Sequence, residues 1–306
     1  MTIRETLTEG SAVLKSADIE NPALDASLLL AEVLGLSRAS LMAAGQDMIP
    51  QERLVVFRRL IERRRNRECV AYILGRKEFR GLEFKVNPAV LVPRPDTETL
   101  VETAIMKIEL FKNEAAPNAG PVQVFDLCTG SGAIAIALKN EMPELEVWAS
   151  DISAGALETA VSNAVRLLPE SSICFCQGDL FDALSSPPIP SGSAPVAAGG
   201  HPPLFSLIAA NPPYIPSAKI KTLPPEVQKE PLPAIDGGGD GLDIIRNIIT
   251  KAPDFLRAGA SLLLEADPGE MQSIGSLLAE EGFFDIQTYK DLSGLERVIG
   301  GAKPEG

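Results

Sequence analysis

Val122-Gln123-Val124-Phe125-Asp126-Leu127-Cys128-Thr129-Gly130-Ser131-Gly132-Ala133-Ile134-Ala135-Ile136-Ala137-Leu138 is the stretch from which the fold can be read. Val122 to Leu127 is an apolar run of strand length, Thr129 to Gly132 is a glycine turn, and Ala133 to Leu138 begins a helix. This arrangement carries backbone N–H groups to the mouth of a ligand site. The rhythm continues downstream. A strand from Glu146 to Ser150 ends at Asp151, and a helix follows with Leu157, Ala160, Val161, Ala164 and Val165 on one face. A third strand, Ile173 to Gln177, ends at Gly178-Asp179. Strands alternating with helices at this spacing imply an α/β fold with a parallel, doubly wound sheet.

Further along, the apolar run Leu204 to Ala210 reads as another buried strand, and Asn211-Pro212-Pro213-Tyr214 closes it. Neither proline has an N–H for the ladder, so the chain leaves the sheet there. Ligands of open α/β sheets sit at strand carboxyl ends, so Asn211 is expected to face a pocket, the competing reading being a rigid turn. A Pro-rich loop from Pro216 to Pro233 leads to Asp236-Gly237-Gly238-Gly239-Asp240-Gly241. Helices are expected over Leu242 to Leu256 and Glu270 to Glu280, and strands over Ser261 to Ala266, Phe283 to Asp291 and Glu296 to Gly300.

Upstream, Thr2 to about Leu74 has a helical period throughout, with Leu24, Leu28, Ala31 and Gly35 on one face and Leu54, Phe57, Leu60 and Ile61 on another. Glu78 to Phe84 and Lys85 to Val92 read as a hairpin turning at Gly81, before Pro93-Arg94-Pro95 and a helix from Asp96 to about Phe111. The expected organisation is a helical domain over 1–75, a hairpin linker over 76–95 and an α/β domain over 96–306. Within the last, Ser185 to Pro203 has the composition of a flexible insertion with no catalytic role.

The 28 basic and 41 acidic residues give −13, which argues against a broad nucleic-acid-coating surface. Gln51 to Arg94 nonetheless holds 12 basic and 5 acidic residues. Its Arg58, Arg59, Arg63, Arg64, Arg65 and Arg67 read either as a solvated helix face or as a surface for RNA or an acidic partner. The N-terminus lacks a basic-then-apolar leader and no apolar run reaches 18 residues, so a cytoplasmic protein is expected. Cys69, Cys128, Cys174 and Cys176 have no metal-ligand spacing, so no metal is expected. The lone His201 argues against a histidine-dependent triad.

Taken alone, Gly130-x-Gly132-x-x-Ala135 with Asp151 downstream fits two ligands, a nicotinamide dinucleotide and S-adenosylmethionine. A pyrophosphate must be neutralised at the helix start. An ammonium and a sulfonium instead favour a carboxylate near the loop; Asp126 supplies one, and Asp179 is placed to meet an adenine amino group.

These residues, together with Glu68-Cys69-Val70-Ala71-Tyr72-Ile73-Leu74-Gly75, Val92-Pro93-Arg94-Pro95-Asp96-Thr97-Glu98, Asn211-Pro212-Pro213-Tyr214-Ile215, Glu230-Pro231, Gly239-Asp240-Gly241-Leu242-Asp243 and Arg297-Val298-Ile299, resemble the HemK/PrmC family. That family methylates a glutamine side-chain amide in peptide-chain release factors and so modulates translation termination. The resemblance implies a seven-stranded class I (Rossmann-like) methyltransferase domain behind a helical substrate-docking domain. It implies S-adenosyl-L-methionine as cofactor, held by Asp126, Cys128, Thr129, Gly130, Ser131, Gly132, Asp151, Asp179, Leu180 and Asn211, and release factors as protein substrates, with no nucleic acid or membrane as partner. Three departures stand out: Cys128 where the family often has glycine, Leu180 where a tryptophan can flank the adenine, and Glu265-Ala266-Asp267-Pro268 for the usual Glu-Ile-Gly.

The chemistry asks for little more. A carboxamide nitrogen is a poor nucleophile because its lone pair is delocalised. If the Asn211 side-chain oxygen and the Pro212 carbonyl each accept one amide hydrogen, the nitrogen is aimed and its developing charge is stabilised. Pro213 stiffens the loop, and Tyr214 is expected either to pack over the target amide or to anchor the loop. Two other readings stay open: a nucleic-acid amino methyltransferase, which the same motif serves, and a non-catalytic adenosylmethionine-binding adaptor.

Overall fold

The computed structural model describes residues 1–114, 120–191 and 203–304. The chain forms two compact units, Met1–Arg76 with Pro224–Lys229, and Lys77–Leu223 with Glu230–Gly306.

The first unit contains α1 (Ile3–Lys15), α2 (Pro22–Leu34), α3 (Arg38–Ala43), α4 (Gln51–Arg65) and α5 (Val70–Leu74). A capping box opens α1: the Thr2 hydroxyl accepts the Glu5 N–H, and the Glu5 carboxylate accepts the Thr2 N–H. Pro22 begins α2 and a left-handed Gly35 ends it. Leu14, Leu29, Leu30, Phe57 and Ile61 form the core. The buried residues of α2 are Asp25, Ala26, Leu29, Leu30, Ala31 and Val33; of the expected face Ala31 is buried, whereas Leu24 is exposed, so the buried face is shifted from the expected one. The cause is Asp25. Its carboxylate is drawn inward to the buried Arg64 guanidinium at 2.7 Å, and Arg64 also donates to Glu226 of the Pro224–Lys229 segment at 2.8 Å. The arginines are therefore not a uniform charged face. Arg58 pairs with Glu9, Arg63 with Glu68, Arg65 with Glu62 and Arg67 with Glu226.

The second unit's hairpin has β1 (Arg76–Phe79) and β2 (Leu82–Lys85) joined through Arg80 and Gly81, both at positive φ, as a twist-matched two-residue turn requires. The turn thus splits the expected first arm, Glu78 to Phe84, into the two strands, and of the expected second arm, Lys85 to Val92, only Lys85 is in a strand. There the Asn163 carboxamide takes the place of a strand partner, accepting the Lys85 N–H at 2.8 Å and donating to its carbonyl at 3.0 Å.

The main sheet is built from β3 (Gln123–Leu127), β4 (Glu146–Asp151), β5 (Cys174–Gln177), β6 (Ile189–Pro190), β7 (Phe205–Ala210), β8 (Leu256–Glu265), β9 (Phe284–Lys290) and β10 (Glu296–Ala302), in the order β6-β5-β4-β3-β7-β8-β10-β9. Seven strands make the body of the sheet, and the two-residue β6 extends one edge. The sheet is mixed and not wholly parallel: β5, β4, β3, β7 and β8 run together, whereas β10 is antiparallel to β8 and β9. α6 (Thr97–Glu114), α7 (Ala133–Glu141) and α8 (Ala154–Leu167) cover one face; α9 (Asp243–Lys251) and α10 (Met271–Glu280) cover the other. The chain winds outward through β3, β4 and β5 and then returns to the opposite side of β3 as β7. Leu127 and Ala210 are paired across that junction, so the glycine loop and Asn211 leave the sheet side by side at the topological switch point.

The insertion expected over 185–203 is ordered at its start. A 3₁₀ turn covers Leu180–Ser185, β6 adds antiparallel to β5, and the buried Ser191 donates its N–H to the Ile173 carbonyl. Pro190 is tolerated because it lies on an edge strand. Residues 192–202, including His201, lie outside the described residues. Among the described residues, no helix is long and apolar enough to cross a membrane.

Candidate active site

The turn after β3 is held from below. Asp126 is fully buried, and its Oδ2 accepts the Thr129 hydroxyl at 2.6 Å and the Ala135 N–H at 3.1 Å. Its Oδ1 is buried with no hydrogen-bond partner, and burial pushes the carboxyl up to about 7. Thr129 N–H reaches the Ser150 carbonyl at the end of β4. A Cβ at Gly132 would lie 2.9 Å from Ile136 Cδ1 and 3.3 Å from Ala160 Cβ, so only glycine lets the loop seat α7 this closely against α8.

Asp151 braces the loop from β4. Its Oδ2 accepts the Gly130 N–H at 2.9 Å and its Oδ1 accepts the Ser153 N–H at 2.9 Å. Burial raises this carboxyl too, while those two N–H groups pull it back down.

Above these elements lies a cavity of about 300 Å³. Of the residues expected at the site, Cys128, Thr129, Gly130, Ser131, Asp151, Asp179, Leu180, Asn211 and Pro213 line it. Asp126, Gly132, Pro212 and Tyr214 are not among the lining residues. Asp126 stands beneath the loop, and Tyr214 packs against the hydrophobic core of the sheet's second face, where burial holds its phenol protonated. Cys128 and Leu180 both have left-handed backbones, with φ of 60° and 48°. Side chains at both positions are thus held in a conformation that favours glycine, at some cost in strain, as occurs at ligand sites. Burial and neighbouring carboxylates keep the Cys128 thiol protonated.

The lining also includes residues not anticipated from the sequence. Pro93, Arg94 and Thr97 come from the segment leading into α6, and Ile152 follows Asp151. Arg94 is the basic side chain among the described lining residues, and one of its terminal nitrogens donates to both oxygens of the buried Glu230, at 2.7 and 2.9 Å. The Pro-Arg-Pro block was visible as a motif; its place in the cavity was not.

Asn211 itself is oriented by the interior. Its Nδ2 donates to the Thr97 hydroxyl at 3.2 Å. The buried Glu265, last residue of β8, lies beside Thr97 and Asn211, β7 and β8 being paired at Ala210 and Leu264. Burial pushes Glu265 up to about 7, against the downward pull of Thr97, Arg297 and Asn211. The Pro212 carbonyl has no hydrogen-bond donor among the described residues. The Asp236–Gly241 loop clamps the following residues: Ile215 N–H bonds the Ile235 carbonyl, and Gly237 N–H bonds the Ile215 carbonyl. A Cβ at Gly237 would fall 2.8 Å from the Pro213 carbonyl oxygen, so this contact requires glycine. The site therefore pairs a carboxylate-braced glycine loop with a rigid loop whose Asn211 lines the cavity and whose Pro212 carbonyl has no donor among the described residues.

Residues 5–75 match the family described as PrmC N-terminal domain, and residues 108–189 match Methyltransferase small domain. The chain is 37% identical over 301 residues to a "Release factor glutamine methyltransferase" of Geobacter sulfurreducens, covering 98% of this chain and 96% of the relative. It is 38% identical over 277 residues to the protein of that name from Neisseria gonorrhoeae, covering 90% and 92%. Among solved structures, the hMettl16 catalytic domain in complex with a 3′UTR hairpin superposes with a TM-score of 0.53 at 13% identity, over 80% of this chain and 82% of that one. At that identity the likeness concerns the fold alone.

Proposed function

The chain belongs to the release factor glutamine methyltransferases, and from that premise we propose that it methylates the side-chain amide nitrogen of a release-factor glutamine at the cavity beside Asn211. The observation that carries this reading is the pair of acceptors at the end of β7. Asn211 turns its nitrogen toward Thr97, which leaves its oxygen for the cavity, and the neighbouring Pro212 carbonyl has no donor among the described residues.

The residues present fit S-adenosylmethionine. The Asp151 carboxylate already orients two N–H groups and has lone pairs left for ribose hydroxyls, and Arg94 offers a cation to the cofactor's carboxylate. The unpartnered Oδ1 of Asp126 adds negative charge beneath the loop, close to where an ammonium would rest. Ile134, Ile152 and Leu180 supply apolar walls, and Asp179 stands at the end of β5 for the adenine amine. The bound cofactor supplies an electrophilic methyl group on a sulfonium.

The protein's own contribution is positional. Two carbonyl oxygens at fixed separation accept the two hydrogens of a planar NH₂, which aims the nitrogen and favours the charge it gains during transfer. The Pro212-Pro213 pair and the Gly237 contact keep those oxygens from relaxing away. The proton lost after transfer passes to solvent, since the phenol of Tyr214 is buried and already protonated.

We assign the helical unit, over 1–75, to gripping the protein substrate, with 76–95 joining it to the methyltransferase domain over 96–306. Direct nucleic-acid binding forms no part of this reading: of the six arginines named from the sequence, Arg58, Arg63, Arg64, Arg65 and Arg67 are engaged by carboxylates within the unit, and Arg59 is exposed. The translational substrate named for its relatives supports a cytoplasmic location. Asn211→Ala tests the site: kcat should fall by about 100-fold or more, the cost typical of deleting one pre-organised hydrogen-bonding group, with cofactor affinity within about threefold. Turnover retained in that variant would remove Asn211 from the mechanism.

A further inference from the structure

Asn211 can accept a substrate hydrogen only if its carboxamide is the right way round, and rotation by half a turn would present a donor in place of an acceptor. The loop alone does not choose between the two. Beneath Asn211 are Thr97, at the start of α6, and Glu265, at the end of β8; both are buried. Nδ2 of Asn211 donates to the Thr97 hydroxyl at 3.2 Å, and the Ala210–Leu264 pairing of β7 with β8 sets the Glu265 carboxylate beside both side chains. An ionised carboxylate has no hydrogen to give, so an Asn211 oxygen turned inward would be repelled by Glu265 and could accept only from the Thr97 hydroxyl, whose hydrogen the carboxylate draws toward itself. The second carboxylate oxygen, Oε2, is buried without a hydrogen-bond partner, a costly arrangement that the neighbouring Arg297 cation offsets only in part. A buried, underpartnered carboxylate kept at this point is explained by what it does to its neighbour.

We propose that Glu265, acting with Thr97, is a positioning residue that locks the Asn211 carboxamide nitrogen-inward, so that its oxygen faces the cavity as the acceptor for the substrate amide. This rests on the reading that Asn211 engages the acceptor amide. Removing the lock lets the two orientations interconvert. Only one of them accepts a substrate hydrogen, so the loss is felt in the transfer step more than in binding.

Four variants of the full chain test this, each measured for kcat, KM for a purified release factor, S-adenosylmethionine Kd and thermal midpoint. Glu265→Met fills the space without an acceptor. It should lower kcat by about 100-fold, as expected for loss of one aligned transition-state contact, while KM and Kd stay within about threefold and the midpoint does not fall. Glu265→Gln keeps a carbonyl acceptor and should recover at least tenfold of that loss. Thr97→Val should cost about tenfold in kcat, the equivalent of one hydrogen bond, and Thr97→Ser should restore it. A wild-type kcat in Glu265→Met overturns the proposal. So does a kcat loss that tracks a falling midpoint, or a Glu265→Gln no better than Glu265→Met. Asn211→Ala, run alongside, separates the two levels. If Asn211→Ala is active, the reading of the site fails. If it is inactive while Glu265→Met is normal, only the positioning role fails.

Discussion

Replacing Asp151 by alanine removes two things at once, and the structure allows their sizes to be set apart. The first is the brace: Gly130 N–H and Ser153 N–H each lose a charged acceptor at 2.9 Å. Hydrogen bonds to charged groups are worth about 1.5–3 kcal/mol, but here the carboxylate was already opposed by burial, so the net loss of fold stability should stay near 2 kcal/mol. The second is the ligand contact. A ribose diol meeting this carboxylate makes two charge-assisted bonds, and losing both should cost about 3 kcal/mol or more of binding, which is about a 150-fold rise in the S-adenosylmethionine Kd. Asp151→Asn keeps one acceptor oxygen and should fall between, near tenfold. Isothermal titration well below the variant's thermal midpoint measures binding on folded protein. An Asp151→Ala protein that is folded and binds within threefold of wild type would refute the placement of the ribose on Asp151.

Three further outcomes follow from individual residues. Cys128→Gly relieves a left-handed backbone worth about 1–2 kcal/mol, partly offset by the freer unfolded chain, so the thermal midpoint should rise by about 2 °C; an unchanged or lower midpoint would mean that the thiol's packing outweighs the strain. Arg64→Ala leaves the carboxylates of Asp25 and Glu226 without their shared cation, and chemical denaturation should show the helical unit weakened by about 3 kcal/mol, a loss that Asp25→Leu in the same chain should reduce. The third concerns pH. Protonated Glu265 carries a hydroxyl that can donate to an Asn211 oxygen turned inward, so the nitrogen-inward lock is strongest in the ionised form; burial raises the pKa to about 7, so kcat should climb with pH through that region and level off above it. Arg297 holds this midpoint down, Asp96 pushes it up, and Tyr214 faces the same carboxylate without titrating there. In Glu265→Gln the climb should vanish; its persistence would place the titrating group elsewhere, Asp126 being the neighbour with a similar value.

The alternation of apolar runs with glycine turns made the sheet legible, because a strand buried on both faces has no choice but to be apolar. The glycine loop and Asn211 were legible for a related reason: each interrupts such a run at the carboxyl end of a strand. The rest depended on partners distant in sequence. The face of α2 was misjudged because periodicity treats Asp25 as a solvent residue, whereas Arg64 pays for its burial. Lys85 ends its strand early because Asn163, from another helix, takes its hydrogen bonds. Asp126 looked like a ligand contact, and in the fold it is the post on which the loop stands. Thr97 and Glu265 were legible only as members of two separate motifs: a threonine and a glutamate far apart in the chain become neighbours only when α6 and β8 meet beneath Asn211.

The most direct test is to incubate the purified chain with methyl-labelled S-adenosylmethionine and a purified release factor and to locate the label by peptide mass spectrometry. The account predicts label on one glutamine side-chain amide, lost when that glutamine is substituted and lost in Asn211→Ala. Label on any other residue, or transfer that survives either substitution, would contradict it.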